Sequence, residues 1–142
     1  MNHQSKLLGI DYGASSIGLA ITDQTRQFVF GRETLSLKKG LLPALQKLKE
    51  LCTEEKIQSV VIGLPLDEEG NETDQSQKIR TFAGKLKSTI PGLEVYFQDE
   101  SFTSFEADQV LAEAGISAKE NKIHQDELAA ILILKRYLKL KY

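Results

Sequence analysis

The chain of 142 residues predicts an α/β domain. Its β-sheet is mixed, antiparallel on one side and parallel on the other, with helices on both faces of the parallel part. Three observations carry this expectation. The N-terminal part alternates short apolar runs with tight polar turns, as an antiparallel meander does. The middle alternates helically spaced apolar residues with short, fully apolar runs, as βαβ units do. No Pro/Gly/Ser-rich linker, repeat or low-complexity stretch divides the chain, so one domain over residues 1–142 is expected.

Each element has its own signal. Lys6-Leu7-Leu8-Gly9-Ile10-Asp11 reads as a buried strand ending on a carboxylate. Tyr12 to Ser16 is small and turn-like, and Ile17 to Thr22 is a second strand. Asp23 to Arg26 is a polar turn, and a third strand starts at Gln27-Phe28-Val29-Phe30-Gly31. Leu41, Leu45, Leu48 and Cys52 then fall on one helical face. Ser59 to Gly63 is apolar throughout, like a strand covered on both sides. A polar loop is expected from Leu64 to Asp74. Ile79, Phe82, Ala83 and Leu86 mark a second amphipathic helix, and Pro91-Gly92 turns into a strand over Leu93 to Gln98. Thr103 and Glu106 have capping-box spacing before Ala107, Val110, Leu111 and Ala114, and Gly115 ends that helix. Leu128 to Leu138 is apolar on most sides and predicts a well-buried final helix.

Composition removes several classes. With 41% hydrophobic and 27% charged residues, the chain is neither disordered nor a membrane protein. No apolar run approaches the roughly 20 residues of a bilayer span. The polar start Met1-Asn2-His3-Gln4-Ser5 lacks the apolar core of a secretion signal. Cys52 is the single cysteine, which fits a reducing cytoplasm. His3 and His124 are too few for a His-rich zinc site, so a metal site here takes oxygen ligands, which suit Mg²⁺ or Mn²⁺. The net charge of −2 leans weakly against nucleic acid as a partner.

The acids carry the chemistry. Asp11 lies at the carboxyl end of the first strand, Asp99 and Glu100 at the carboxyl end of the last strand, and Asp126 at or near the start of the last helix. Open α/β sheets bind ligands outside the carboxyl ends of their strands, at the switch in strand order. Three carboxylates in one crevice repel one another unless a divalent cation neutralises them. Plainer readings compete. Asp11 fits a turn, Asp99-Glu100 a solvated loop, and Asp126 a helix N-cap.

Other features are two-sided in the same way. Gly13 with Ser15 and Ser16 forms either a backbone cradle for a phosphate or simply a tight turn. Pro65 either positions substrate on the same rim or pins a connector. His124 is a proton shuttle or a solvated residue. The basic C-terminal residues, from Lys135-Arg136 to Lys141, suit a helix C-terminus without any nucleic acid.

Taken in order, these segments resemble the YqgF/RuvX family of pre-16S rRNA nucleases, relatives of Holliday-junction resolvases. The resemblance runs through Gly9-Ile10-Asp11-Tyr12-Gly13 with Ile17-Gly18-Leu19-Ala20, then Val61-Ile62-Gly63-Leu64-Pro65-Leu66 with Gly70. It continues through Phe82-Ala83 and Leu86, Asp99-Glu100 with Thr103-Ser104, and Asp126 with Ala129-Ala130, Ile133-Leu134 and Tyr137-Leu138. It implies an RNase H-like fold with a five-stranded sheet of order 3-2-1-4-5 and helices on both faces. It also implies a Mg²⁺- or Mn²⁺-dependent nuclease that trims the 5′ end of the 16S rRNA precursor. Asp11, Glu100 and Asp126 are then the catalytic, metal-holding acids, with Asp99 in support. Gly13, Ser15, Ser16, Pro65, Ser101 and Thr103 become candidate substrate contacts. The chain departs from the family where Ser15-Ser16 replace Lys-Arg and Ser101 replaces Arg. Each lost charged contact to a phosphate is worth about 1.5–3 kcal/mol. Lys38, Lys39 and Lys122 are candidate replacements.

Three functions follow. The first is a cytoplasmic endonuclease acting on precursor rRNA or a pre-ribosomal particle. The second is a resolvase-like nuclease acting on branched DNA, which favours a symmetric dimer. The third is a non-catalytic nucleic-acid or nucleotide-binding protein. No exposed apolar helix face announces a dimer, so a monomer is expected.

Overall fold

The structure, a computed structural model, describes residues 5–100 and 118–140, with side chains from residue 127 onward in the second stretch. The described elements are β1 (Leu7–Tyr12), β2 (Ser16–Thr22), β3 (Val29–Ser36), α1 (Leu41–Glu54), β4 (Ser59–Pro65), α2 (Asp74–Thr89), β5 (Glu94–Glu100) and α3 (Ala118–Leu138). The helix expected over Thr103 to Ala114 lies outside the described residues. The strands form one sheet of order β3-β2-β1-β4-β5. β1 pairs antiparallel with β2 and parallel with β4, so the change of sense falls at β1. β2–β3 is antiparallel and β4–β5 parallel. This is the expected mixed sheet.

Side-chain alternation divides the sheet into two faces. Leu8, Ile10, Ile17, Leu19, Val60, Ile62 and Leu64 meet Leu45, Leu48, Ile79, Phe82 and Leu86 of α1 and α2 in the larger core. Leu7, Ala20 and Val61 point to the other face and meet Ala130, Ile133 and Leu134 of α3. The continuous apolar runs of β1 and β4 are thus explained by burial on both sides. α3 can lie close because Gly9 has no side chain. A Cβ there would sit 2.5 Å from Leu134 Cγ and 2.9 Å from the Ala130 carbonyl oxygen. Among the described residues no helix is long and apolar enough to cross a membrane.

Four expected boundaries move, each for a local reason. β3 begins at Val29 rather than Gln27. The Asp23 carboxylate accepts the N–H groups of Gln27 and Phe28, at 3.1 Å each, and holds both in the turn. β4 runs on through Leu64 to Pro65, where a loop was expected. Leu64 is buried, and a proline at the strand's last residue interrupts no interior hydrogen bond. β5 includes Asp99 and Glu100 rather than ending before them. α3 starts at Ala118, well before Leu128. Its first turns hold helix formers such as Ala118, Lys119, Glu120 and Lys122, with no apolar stripe for periodicity to detect. Asp126 is therefore interior to α3, and the N-cap reading of it fails.

The start of α2 is tied directly to the end of β4. Thr73 and Ser76 form a capping box, each side chain bonded to the other's backbone N–H. The buried Ser76 hydroxyl also donates to the Pro65 carbonyl. One small side chain thereby fixes the rim where Pro65 pairs with Glu100.

Candidate active site

Asp11 and Glu100 meet on the α3 face of the sheet. Asp11 follows Leu7 and Gly9 in the alternation of β1, and Glu100 lies opposite Pro65 of β4. β4 separates the two acids, yet their carboxyl groups are hydrogen-bonded to each other. Gly63 makes this possible. A Cβ at Gly63 would stand 3.0 Å from Glu100 Oε2 and 2.5 Å from Ile133 Cδ1. The absent side chain leaves a channel through which Glu100 reaches over β4 toward β1. The sequence shows the signal as a lone glycine between β-branched and branched residues in Val60-Val61-Ile62-Gly63-Leu64, where a backbone is closely approached.

Two carboxyl groups share a hydrogen bond only when one of them holds a proton. Burial is the main force that pushes the Glu100 carboxyl up from 4.5 to about 8. The negative charge of Asp11 and the hydrogen bond to it add to the effect, and Arg136 of α3 opposes it. Sequence reasoning assigned Arg136 to the helix C-terminus and missed its place in this field. Its spacing of three from Ile133, the residue beside Gly63, was the available signal.

The remaining predicted residues separate. Asp99 is exposed, and strand alternation puts it on the opposite face from Glu100, so its supporting role is corrected. Asp126 is in α3, one helical turn before Ala130, which lies against Gly9. Its side chain, like that of His124, is outside the described residues, as are Ser101 and Thr103. Ser15 is exposed at the hairpin and Ser16 opens β2 opposite Ser36. The Gly13 N–H is committed to the Ser16 carbonyl at 2.9 Å, so the hairpin spends on itself one of the donors that a phosphate cradle needs. The Pro65 carbonyl is likewise committed, to Ser76. Among the described residues no three His, Cys, Asp or Glu side chains converge as a metal cluster.

The Asp11–Glu100 pair nevertheless suits a hard divalent cation. It offers carboxylate oxygens in a half-buried site, and the shared proton marks where positive charge is wanted. The tightening toward a sheet rim at the β1 switch point is where this fold class binds ligands.

Comparison with known proteins agrees. The family model described as RuvX: Holliday junction resolvase matches residues 5–140. A protein of Dictyoglomus thermophilum is 35% identical over 133 residues, covering 94% of each chain. One of Oleidesulfovibrio alaskensis is 38% identical over 139 residues, covering 95% of this chain and 92% of its own. Both are named as candidate pre-16S rRNA nucleases. Among solved structures, the fowlpox virus Holliday junction resolvase aligns with a TM-score of 0.53 at 15% identity, covering 94% and 97% of the two chains. Thermus thermophilus RuvC in complex with a Holliday junction aligns with a TM-score of 0.52 at 15% identity, covering 96% of each. The structural likeness establishes the RNase H-like fold, and the sequence match over nearly the whole length establishes more: the chain belongs to the RuvX family, a family of phosphodiester-cleaving hydrolases.

Proposed function

We propose that this protein is a Mg²⁺- or Mn²⁺-dependent endonuclease that processes the 5′ end of the 16S rRNA precursor in the cytoplasm. The observation that carries the reading is the Asp11–Glu100 carboxyl pair, brought together across Gly63 at the β1 switch point. The names of the full-length relatives supply the substrate.

Asp11, Glu100 and Asp126 are the residues that would hold the metal. A bound divalent cation supplies Lewis-acid stabilisation of charge at the scissile phosphate. Asp11 anchors the site near the carboxyl end of β1, the central strand of the sheet. Glu100 would face such a cation as a full carboxylate, its proton released to solvent. Arg136 limits the field of the two acids and steadies Glu100 in its ionised form. Gly13, Ser15, Ser16 and Pro65 stand at the hairpin and the rim as neutral substrate contacts, and the family resemblance adds Ser101 and Thr103.

The test is cleavage of 5′-extended 16S rRNA by wild type and Asp11→Asn, with Mg²⁺, with Mn²⁺ and with a chelator. Cleavage by wild type with metal alone is expected, and the variant should keep its fold and lose at least about 100-fold in rate, about 2.7 kcal/mol of barrier. Equal rates in the two proteins end this mechanism. A second reading, cleavage of branched DNA, is favoured by the family description and by the RuvC likeness. A four-way DNA junction in the same assay decides it: preferential cutting of the junction replaces the rRNA reading.

A further inference from the structure

The sheet face covered by α1 and α2 carries an open groove between the two helices. One cavity of about 210 Å³ is lined by Tyr12, Leu41, Lys78, Thr81, Phe82 and Lys85. A second, of about 490 Å³, shares Leu41, Thr81 and Lys85 and extends along Leu42, Leu45 and Ser88. The shared residues make the two one continuous trough. Its wall at Gly84 is bare, since a Cβ there meets nothing within 4 Å. Leu42 on its floor is 76% exposed.

Three features give the groove a chemistry. First, α2 turns Lys78, Thr81, Lys85 and Ser88 toward it at helical spacing, so cations and hydroxyls alternate along one wall. Among the described residues no Asp or Glu lines either cavity, in a chain whose net charge is −2. Second, the groove ends at Tyr12, which shares a strand end with Asp11 but leaves β1 on the opposite face of the sheet. Its ring is held by stacking on Phe82, with centroids 4.3 Å apart and planes 19° apart. Third, the loop before Leu41 carries Lys38 and Lys39, both exposed. The Leu37 N–H donates to the Ser15 carbonyl at 2.9 Å and fastens that loop to the hairpin beside Asp11. Two exposed lysines thus stand between the hairpin and the start of α1.

We infer that this groove is the track for the single-stranded part of the RNA substrate, which crosses the rim of the sheet from the Asp11 site past Tyr12 and lays its phosphates along Lys78 and Lys85. The inference rests on the nuclease reading above and extends it to a second surface. Such grooves combine cations that follow the backbone with apolar or aromatic platforms for the bases. Here Leu41, Leu42 and Leu45 give the apolar floor and Tyr12 the aromatic end. Lys78 and Lys85 are seven positions apart on one helix. At 1.5 Å per residue their backbones are about 10 Å apart, close enough to serve one strand.

The experiment measures binding of a labelled single-stranded RNA about 12 nucleotides long, within the roughly 4–16 nucleotides such grooves hold. Fluorescence anisotropy is followed against salt, with chelator present, for the full chain. The test variant is Lys78→Gln with Lys85→Gln. The control variant, Lys56→Gln with Lys87→Gln, removes the same charge outside the groove. Loss of two single-strand phosphate contacts should flatten the slope of log affinity against log salt by about 1.4. If the proteins bind alike at 1 M salt, the groove variant is then about 25-fold weaker at 0.1 M. The control should keep the wild-type slope. A groove variant with the wild-type slope, in a wild type that binds and cleaves RNA, overturns the track and leaves the nuclease reading intact. Wild type that binds no RNA at any salt overturns both. A polyglutamate peptide that binds as tightly as the RNA, with the same dependence on Lys78 and Lys85, makes the groove an acidic-peptide site and also overturns the track.

Discussion

Glu100→Gln should make the metal-free protein more stable in mild alkali while abolishing cleavage. The Glu100 carboxyl is pushed up from 4.5 to about 8, chiefly by burial and then by Asp11. Between those values the folded protein holds a proton that the unfolded chain has released. Stability therefore falls as pH rises through that window. Below about 4.5 both states are protonated and the effect vanishes; above about 8 it is complete. The difference of 3.5 units, from 4.5 to about 8, sets a ceiling of about 5 kcal/mol at 1.36 kcal/mol per unit. Water at the half-open rim screens the pair, so a loss of roughly 2–3 kcal/mol is expected. Gln keeps the shape and a hydrogen-bond donor for Asp11 without the charge.

The assay is urea unfolding of both proteins at pH 5, 7 and 9 with chelator. With a urea dependence of about 1–3 kcal/mol per molar, the midpoints should diverge by roughly 1–2 M at pH 9 and coincide at pH 5. The lowered carboxylates Asp23, Glu55 and Glu72 lose their contributions only as pH falls below the ordinary carboxylate range, outside this window. Histidine titration is common to both proteins and cancels in the difference. Parallel stability curves from pH 5 to 9 would refute the shared-proton account of the site.

Further expectations concern the frame around the pair. Gly63→Ala forces a methyl group against Ile133 Cδ1 and Glu100 Oε2, and should destabilise by about 1–3 kcal/mol with loss of activity, read by thermal unfolding and the cleavage assay. Wild-type stability and rate in that variant would show that the channel is not needed. Ser76→Ala removes half of the capping box and leaves the Pro65 carbonyl without its hydroxyl partner, for a loss of about 1–3 kcal/mol in denaturant unfolding. Burial pushes the Cys52 thiol up to about 11, so at pH 8 the native protein should alkylate at least about 100-fold more slowly than a free thiol and at a normal rate in urea. Rapid native alkylation at one equivalent would contradict its place in the core.

The mixed sheet was legible because two kinds of period change at the same place in the chain, while its strand order came with the family resemblance. β1 to β3 are joined by turns too short for a crossover, while β4 and β5 each follow a helical stretch, and only a mixed sheet accommodates both. The start of α3 was not legible for the converse reason. Lys119, Glu120 and Lys122 favour a helix by propensity but leave no apolar stripe, and periodicity registers only the stripe that meets the sheet, from Leu128. The strand ends were misread through Pro65 and the acids after Gln98, polar or ring-bearing residues that look like loop. They are strand because they sit at the rim, where backbone pairing continues but burial does not.

The site follows from this rim geometry more than from the acids themselves. Asp99 and Glu100 are neighbours in sequence with the same charge, and a reading by residue type assigns them together. The strand separates them completely, since successive side chains leave opposite faces. Glu100 falls on the face that α3 covers, and only there does Gly63 open a way to Asp11. The same close packing that admits α3 against Gly9 and Gly63 withdraws water from the carboxyl pair, which raises Glu100 and creates the demand for positive charge. Arg136 meets part of that demand from α3. Glycines in β1 and β4, an alternation fixed by the register of β4 and β5, and a cation on the covering helix are thus one device. They hold two acids together at a rim where acids left to themselves would part.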